Sequence, residues 1–116
     1  MSRHIESDIQ IACVTWFRYQ YSKFDALLFA VPNGGPRNKV TASILKAEGV
    51  VAGVSDLILL VPRTQYHGLC IEMKTSKGTQ QDTQVAFQKA VEGQGYKYVL
   101  CRSVDDFRKE INNYLK

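Results

Sequence analysis

Two apolar runs joined by a short turn constrain this chain more than anything else in it. Asp56-Leu-Ile-Leu-Leu-Val61 and Gly68-Leu-Cys-Ile-Glu72-Met-Lys74 flank the turn Pro62-Arg-Thr-Gln. Their composition predicts buried strands, and the brief connection predicts an antiparallel hairpin. The charges stand at one end of it. Side chains at i and i+2 of a strand share a face, so Glu72 and Lys74 project together. In a hairpin the start of the first run lies beside the end of the second, which brings Asp56 to them.

Two carboxylates and an ammonium on one sheet face suit a divalent cation and an activated water. Asp56 and Glu72 are candidate ligands for Mg²⁺ or Mn²⁺, hard cations that take oxygen donors. The carbonyl of Met73, between the two key side chains, is a candidate further ligand. A bound cation polarises a phosphate and acidifies its water. Lys74 is placed to orient or deprotonate that water and to offset charge at the phosphate. The same residue types also fit a solvated rim with a surface ion pair. The flanks weigh against that reading: Leu-Ile-Leu-Leu-Val follows Asp56 and Leu-Cys-Ile precedes Glu72. Charges at the end of a buried sheet need a reason to be there.

The remaining elements are read from periodicity and punctuation. Residues 3–21 predict an amphipathic helix carrying Ile5, Ile9, Ala12, Cys13, Trp16, Phe17 and Gln20 on one face. Ala26–Val31 predicts a short strand, and Pro32-Asn-Gly-Gly-Pro36 a loop. Pro36 opens a second helix that points Val40, Ile44, Leu45 and Ala47 inward and stops at Gly49. Thr79-x-x-Asp82 resembles a capping box opening a helix to about Glu92, which Gly93 and Gly95 end. Tyr96–Cys101 predicts a last strand. Ser103 and Asp106 cap a terminal helix with Phe107, Ile111, Tyr114 and Leu115 on one face. The order is α-β-α-β-β-α-β-α. A right-handed crossover after the hairpin adds a parallel neighbour. The expected fold is α/β, a mixed sheet flanked by helices.

At 116 residues the chain is read as one domain, 1–116, with no repeat or linker. A net charge of +4 leans toward an anionic partner without naming one. Cys13, Cys70 and Cys101 lie apart in apolar runs, and neither His4 nor His67 is spaced to join them. That disfavours zinc and reads as small buried hydrophobes in a reducing compartment. No signal peptide and no run of membrane-spanning length is seen, so no membrane role is expected.

Gln84 sits one turn into the helix after Lys74, on a face with Phe87 and Val91. It is a candidate for orienting the water or Lys74, or else a polar helix-boundary residue. Arg37, Lys39, Lys46 and Lys77 are candidate phosphate contacts, against the alternative of a solvated charged surface. Tyr19, Tyr21, Tyr66 and Tyr96 offer stacking surfaces or plain packing.

Taken together, Gly49-x-x-x-Gly53-Val-Ser-Asp56-Leu, Ile71-Glu72-Met-Lys74, Gln84-x-x-Phe87 and Gly95-Tyr resemble a VRR-NUC domain. This is a branch of the PD-(D/E)XK nuclease superfamily, with a restriction-endonuclease-like fold. The resemblance spans nearly the whole chain and is closest to minimal stand-alone members of phages and bacteria. These are similar to Holliday junction resolvases, which work as homodimers. It implies that Asp56, Glu72 and Lys74 are the catalytic trio and that Gln84 is the helix glutamine. By the same resemblance, Glu6 of the first helix completes the metal site; the alternative is an exposed first-turn acid favoured by the helix dipole. Ser55 departs from the motif, which usually has proline there. The implied activity is a metal-dependent structure-specific endodeoxyribonuclease acting on branched DNA, cytoplasmic and dimeric. Trp16, Phe17, Tyr19 and Tyr21 crowd the end of the first helix and are candidates for an apolar interface or, equally, for the core. The competing reading is a non-catalytic nucleic-acid-binding module. A third, a toxin or restriction enzyme, lacks any visible target-recognition segment.

Overall fold

The hairpin forms as its sequence predicts, with shorter strands. The structure, a computed structural model, describes residues 2–32 and 38–116, and side chains from Ile5 onward within them. Strand β2 (Leu57–Leu59) pairs antiparallel with β3 (Leu69–Met73), with Leu57 opposite Ile71 and Leu59 opposite Leu69. Strand β1 (Leu28–Ala30) runs antiparallel along the outer side of β2. Strand β4 (Lys97–Cys101) lies parallel to β3, with Glu72 opposite Leu100. The four-stranded sheet is ordered β1-β2-β3-β4. The parallel neighbour arrives through helix α3 (Asp82–Gly93), the crossover expected from the chain order.

Helices cover the sheet. Helix α1 (Ser2–Gln20) packs against α4 (Val104–Leu115). Together they seal one face, where Cys13, Phe17, Phe107 and Ile111 meet Leu57, Leu59, Leu69, Ile71 and Cys101. Each such burial contributes roughly 1.5–3 kcal/mol for the large aliphatic and aromatic side chains. Helix α3 lies on the other face, where Phe87 meets the ring of Tyr98 edge-on at 6.4 Å. Strand β3 is therefore closed on both sides, and all its residues are buried, as a central strand requires. Arg63, in the hairpin turn, donates to the carbonyls of Tyr114 and Leu115 at 3.1 Å and so caps the end of α4. Ser103 accepts from the Asp106 amide at 3.0 Å and caps its start, as predicted. All three cysteines are free and buried, matching the hydrophobe reading.

Five expectations need correction. A 3-10 helix (Ser22–Leu27) takes the first two residues of the predicted strand 26–31, and β1 keeps only three. Helix α2 (Lys39–Ala47) starts at an Asn38 cap rather than Pro36, which lies outside the described residues. None of its residues is buried: Val40 is 69% exposed and Ile44 53%. Amphipathic spacing marks an apolar face but does not supply a surface for it to meet. The cap of α3 is Gln81, not Thr79, and Gln84 reaches back to it. In α1, Cys13 and Phe17 are inside as expected, whereas Ile5 is about half exposed.

Candidate active site

The register that seals the hairpin also builds the site. Leu57 opposite Ile71 sets Asp56 against Glu72 at the next position along the ladder, and opposed residues share a face. Beyond Leu57 the two strands no longer pair. There Asp56 Oδ2 takes the Met73 amide hydrogen at 2.6 Å. A strand residue points its N–H and C=O to the same side, so the Met73 carbonyl also faces Asp56. The Lys74 amide instead donates to the Cys101 carbonyl at 3.0 Å, fixing the end of β3 to β4.

Glu72 is fully buried. Its Oε1 accepts from Gln80 Nε2 at 2.9 Å and from the Tyr98 hydroxyl in a short hydrogen bond. Its Oε2 has no hydrogen-bond partner among the described residues. Lys74 Nζ lies 3.6 Å from that oxygen, longer than the ~2.8 Å of a formed charge-assisted bond. Burial and the charge of Glu72 push the Tyr98 phenol well above its ordinary value, so it stays a donor.

The carboxylates act on one another. Burial raises the Asp56 carboxyl above its usual range; the Met73 amide opposes this, Glu72 adds to it and Lys74 opposes it. Glu6, from α1, is raised by partial burial and then by Asp56, with Lys74 pulling down and Glu72 pushing up. The first helix thus brings its acid within electrostatic reach of the trio. Crowded acids of this kind favour a cation among them.

Whether these residues fit a metal ion turns on its ligand demand. Among the described residues, no three His, Cys, Asp or Glu side chains converge tightly enough to hold an ion unaided. Mg²⁺ asks for less, often taking one or two carboxylates with waters and substrate phosphates. The unpartnered Oε2 of Glu72, the second oxygen of Asp56 and the Met73 carbonyl are donors of the right kind.

An open groove of about 710 Å³ runs past Asp56, between Leu45 and Lys46 of α2, the Val50–Gly53 segment, and Gln81 and Gln84. Gly53 makes this seam close. Its φ is +87°, and a Cβ there would lie 2.3 Å from the Thr83 carbonyl oxygen. Lys46 stands on the groove wall; Lys39 and Lys77 are exposed, at the start of α2 and in the loop after β3. Arg37 lies outside the described residues. Gln84 borders the groove, but its Oε1 accepts from the Gln81 amide at 2.8 Å, the helix-boundary duty. Tyr21 and Trp16 pack edge-on at 5.9 Å, half-buried against the core, and Phe17 is fully buried, while Tyr19 is 86% exposed.

Sequence reasoning missed three residues. Tyr98 and Gln80 hold Glu72, and Arg102 Nη1 donates at 2.7 Å to both Thr75 and Gly78 carbonyls, fixing the loop that carries Lys77. Strand alternation put Tyr98 on one face of β4, but only the β3–β4 register shows it to be the face of Glu72. Gln80 and Arg102 gave no pattern at all.

No helix among the described residues is long and apolar enough to cross a membrane. No curated protein matches the chain at a significant level. A solved structure described as a VRR_NUC domain protein superposes with a TM-score of 0.83 at 26% identity, over 95% of this chain and 87% of that one. The VRR-NUC domain model matches residues 4–105. With its mixed sheet and flanking helices in agreement, the chain belongs to the VRR-NUC domain family and has its nuclease-type fold.

Proposed function

We propose that this protein is a divalent-cation-dependent, structure-specific endodeoxyribonuclease, acting on Holliday junctions or other branched DNA as a homodimer. One observation carries the reading. A fully buried carboxylate, Glu72, keeps one oxygen without a hydrogen-bond partner among the described residues, beside Asp56 and Lys74. A buried acceptor left unsatisfied costs on the order of 1–3 kcal/mol, and a cation would relieve it.

Asp56, Glu72 and the Met73 carbonyl would hold Mg²⁺ or Mn²⁺, with Glu6 as a further acid beside them. The chemistry such an ion supplies when bound is polarisation of the phosphate and a lowered pKa for water. The side chains do the rest. Asp56 is held by the Met73 amide, so its orientation is set before substrate arrives. Lys74 lies close enough to orient the attacking water and to offset negative charge on the phosphate. Gln84 takes part in orienting that water by releasing the Gln81 amide. Lys46 on the groove wall, with Lys39 and Lys77 on the surface, would contact phosphates; Arg37 is a fourth candidate on sequence alone.

The test is incubation of the protein with labelled four-way junction, flap and linear duplex, in Mg²⁺, in Mn²⁺ and with a chelator. The expected result is cleavage of branched DNA that the chelator abolishes. Stable DNA binding in Mg²⁺ with no product would instead make the protein a non-catalytic binding module.

A further inference from the structure

The two oxygens of Glu72 have unequal surroundings. The two hydrogen bonds that the carboxylate accepts, from Gln80 Nε2 and the Tyr98 hydroxyl, converge on Oε1. Oε2 receives neither, although it is equally buried. The donors are themselves held. The Gln80 amide donates its other hydrogen to Gln88 Oε1 at 2.9 Å, and Gln88 donates to Glu92 at 3.2 Å. The Tyr98 ring is backed by Phe87. A chain of hydrogen bonds therefore runs along α3 from the surface to the buried acid.

We infer that Tyr98 and Gln80 are positioning residues that clamp Glu72 by Oε1, so that Oε2 faces the site as a cation ligand rather than closing on Lys74. The inference rests on the reading of Glu72 as a metal ligand. Its physical basis is competition. Lys74 Nζ is 3.6 Å from Oε2. A carboxylate without the clamp would gain most by rotating onto that ammonium, since a buried charge seeks its counter-ion. The pair would then tighten, and Glu72 and Lys74 would each lose the group that the other needs free. Two directional donors on Oε1 oppose that rotation. Residues that orient a ligating carboxylate in this way typically affect metal affinity by about 10- to 100-fold.

The experiment measures Mn²⁺ binding by calorimetry and the melting temperature without metal, alongside the Mn²⁺ concentration dependence of cleavage. It uses wild type, Tyr98→Phe, Gln80→Leu, the double variant and Glu72→Gln. Tyr98→Phe and Gln80→Leu should each weaken Mn²⁺ binding about tenfold or more. Cleavage should recover in part at high Mn²⁺, which marks loss of positioning rather than loss of a ligand. The double variant should be less impaired than the product of the singles, because both donors serve one oxygen. Wild-type Mn²⁺ affinity in both single variants overturns the inference, even if their melting temperatures fall. Unfolding of Gln80→Leu leaves Tyr98→Phe, which removes only a hydroxyl, to decide. Wild type that binds no Mn²⁺, or Glu72→Gln that binds it fully, overturns the parent reading and the clamp with it; the parent reading fails in no other arm.

Discussion

Glu72 is a carboxylate near the end of a strand sealed on both faces, a placement that works against stability. Substituting Glu72→Gln keeps its shape and its acceptor for Tyr98 and Gln80. The expected outcome is cleavage reduced by about 10²- to 10³-fold or more, with a metal-free melting temperature no lower than wild type. Asp56→Ala should lose activity as fully, while circular dichroism stays unchanged. A Glu72→Gln variant that cleaves normally would place the chemistry elsewhere. The cysteines give a pH prediction. Burial pushes the Cys13 thiol up to about 11 and Cys101 up to about 12 from an ordinary 9.0. The unfolded chain therefore releases these protons at lower pH than the folded one, and stability falls as pH rises from about 9 toward those values. A melting series under reducing conditions should show this decline, and Cys13→Ala should flatten it. At this scale the trio was legible because strand period and hairpin geometry are enough to place it. Gln80 and Tyr98 were not, since a hydrogen bond between distant residues leaves no periodic trace.

Among the elements, the hairpin, α3, β4 and α4 were readable because strong apolar runs lie between turn and cap signals. Helix α2 was readable as a helix but not in its packing. Its apolar side borders a groove instead of the core, and periodicity cannot tell the two apart. The start of β2 depends on backbone that the motif only hints at. Gly53 holds φ +87° against the Thr83 carbonyl, three residues before Asp56. Gly53→Ala should cost about 1–3 kcal/mol and should depress cleavage by tilting Asp56 off the Met73 amide. Gly49→Ala is the matched control: its φ is +108°, but nothing lies within 4 Å of the added carbon. It should cost less and leave cleavage intact. Equal loss of activity in both would show that the seam with α3 does not set Asp56.

For the whole molecule, the net charge of +4 matters through counterions rather than fold. If Lys39, Lys46 and Lys77 each meet a phosphate, a fourfold rise in salt should weaken duplex binding roughly fortyfold. Fluorescence anisotropy across a salt series measures this, and replacing each lysine by alanine should lower the slope by about one. A slope that does not change would remove that lysine from the contact surface. The hairpin and the parallel place of β4 followed from chain order and crossover rules, whereas the seat of β1 beside β2 and the β3–β4 register did not, and that register put Tyr98 beside Glu72. The lapse in pairing beyond Leu57 has a further use. Because the Met73 amide hydrogen is held by a side chain, its exchange into heavy water times the release of Asp56. A ligand that draws the aspartate away should hasten exchange at that one amide while its neighbours in β3 stay slow, giving a spectroscopic clock for site engagement that needs no cleavage.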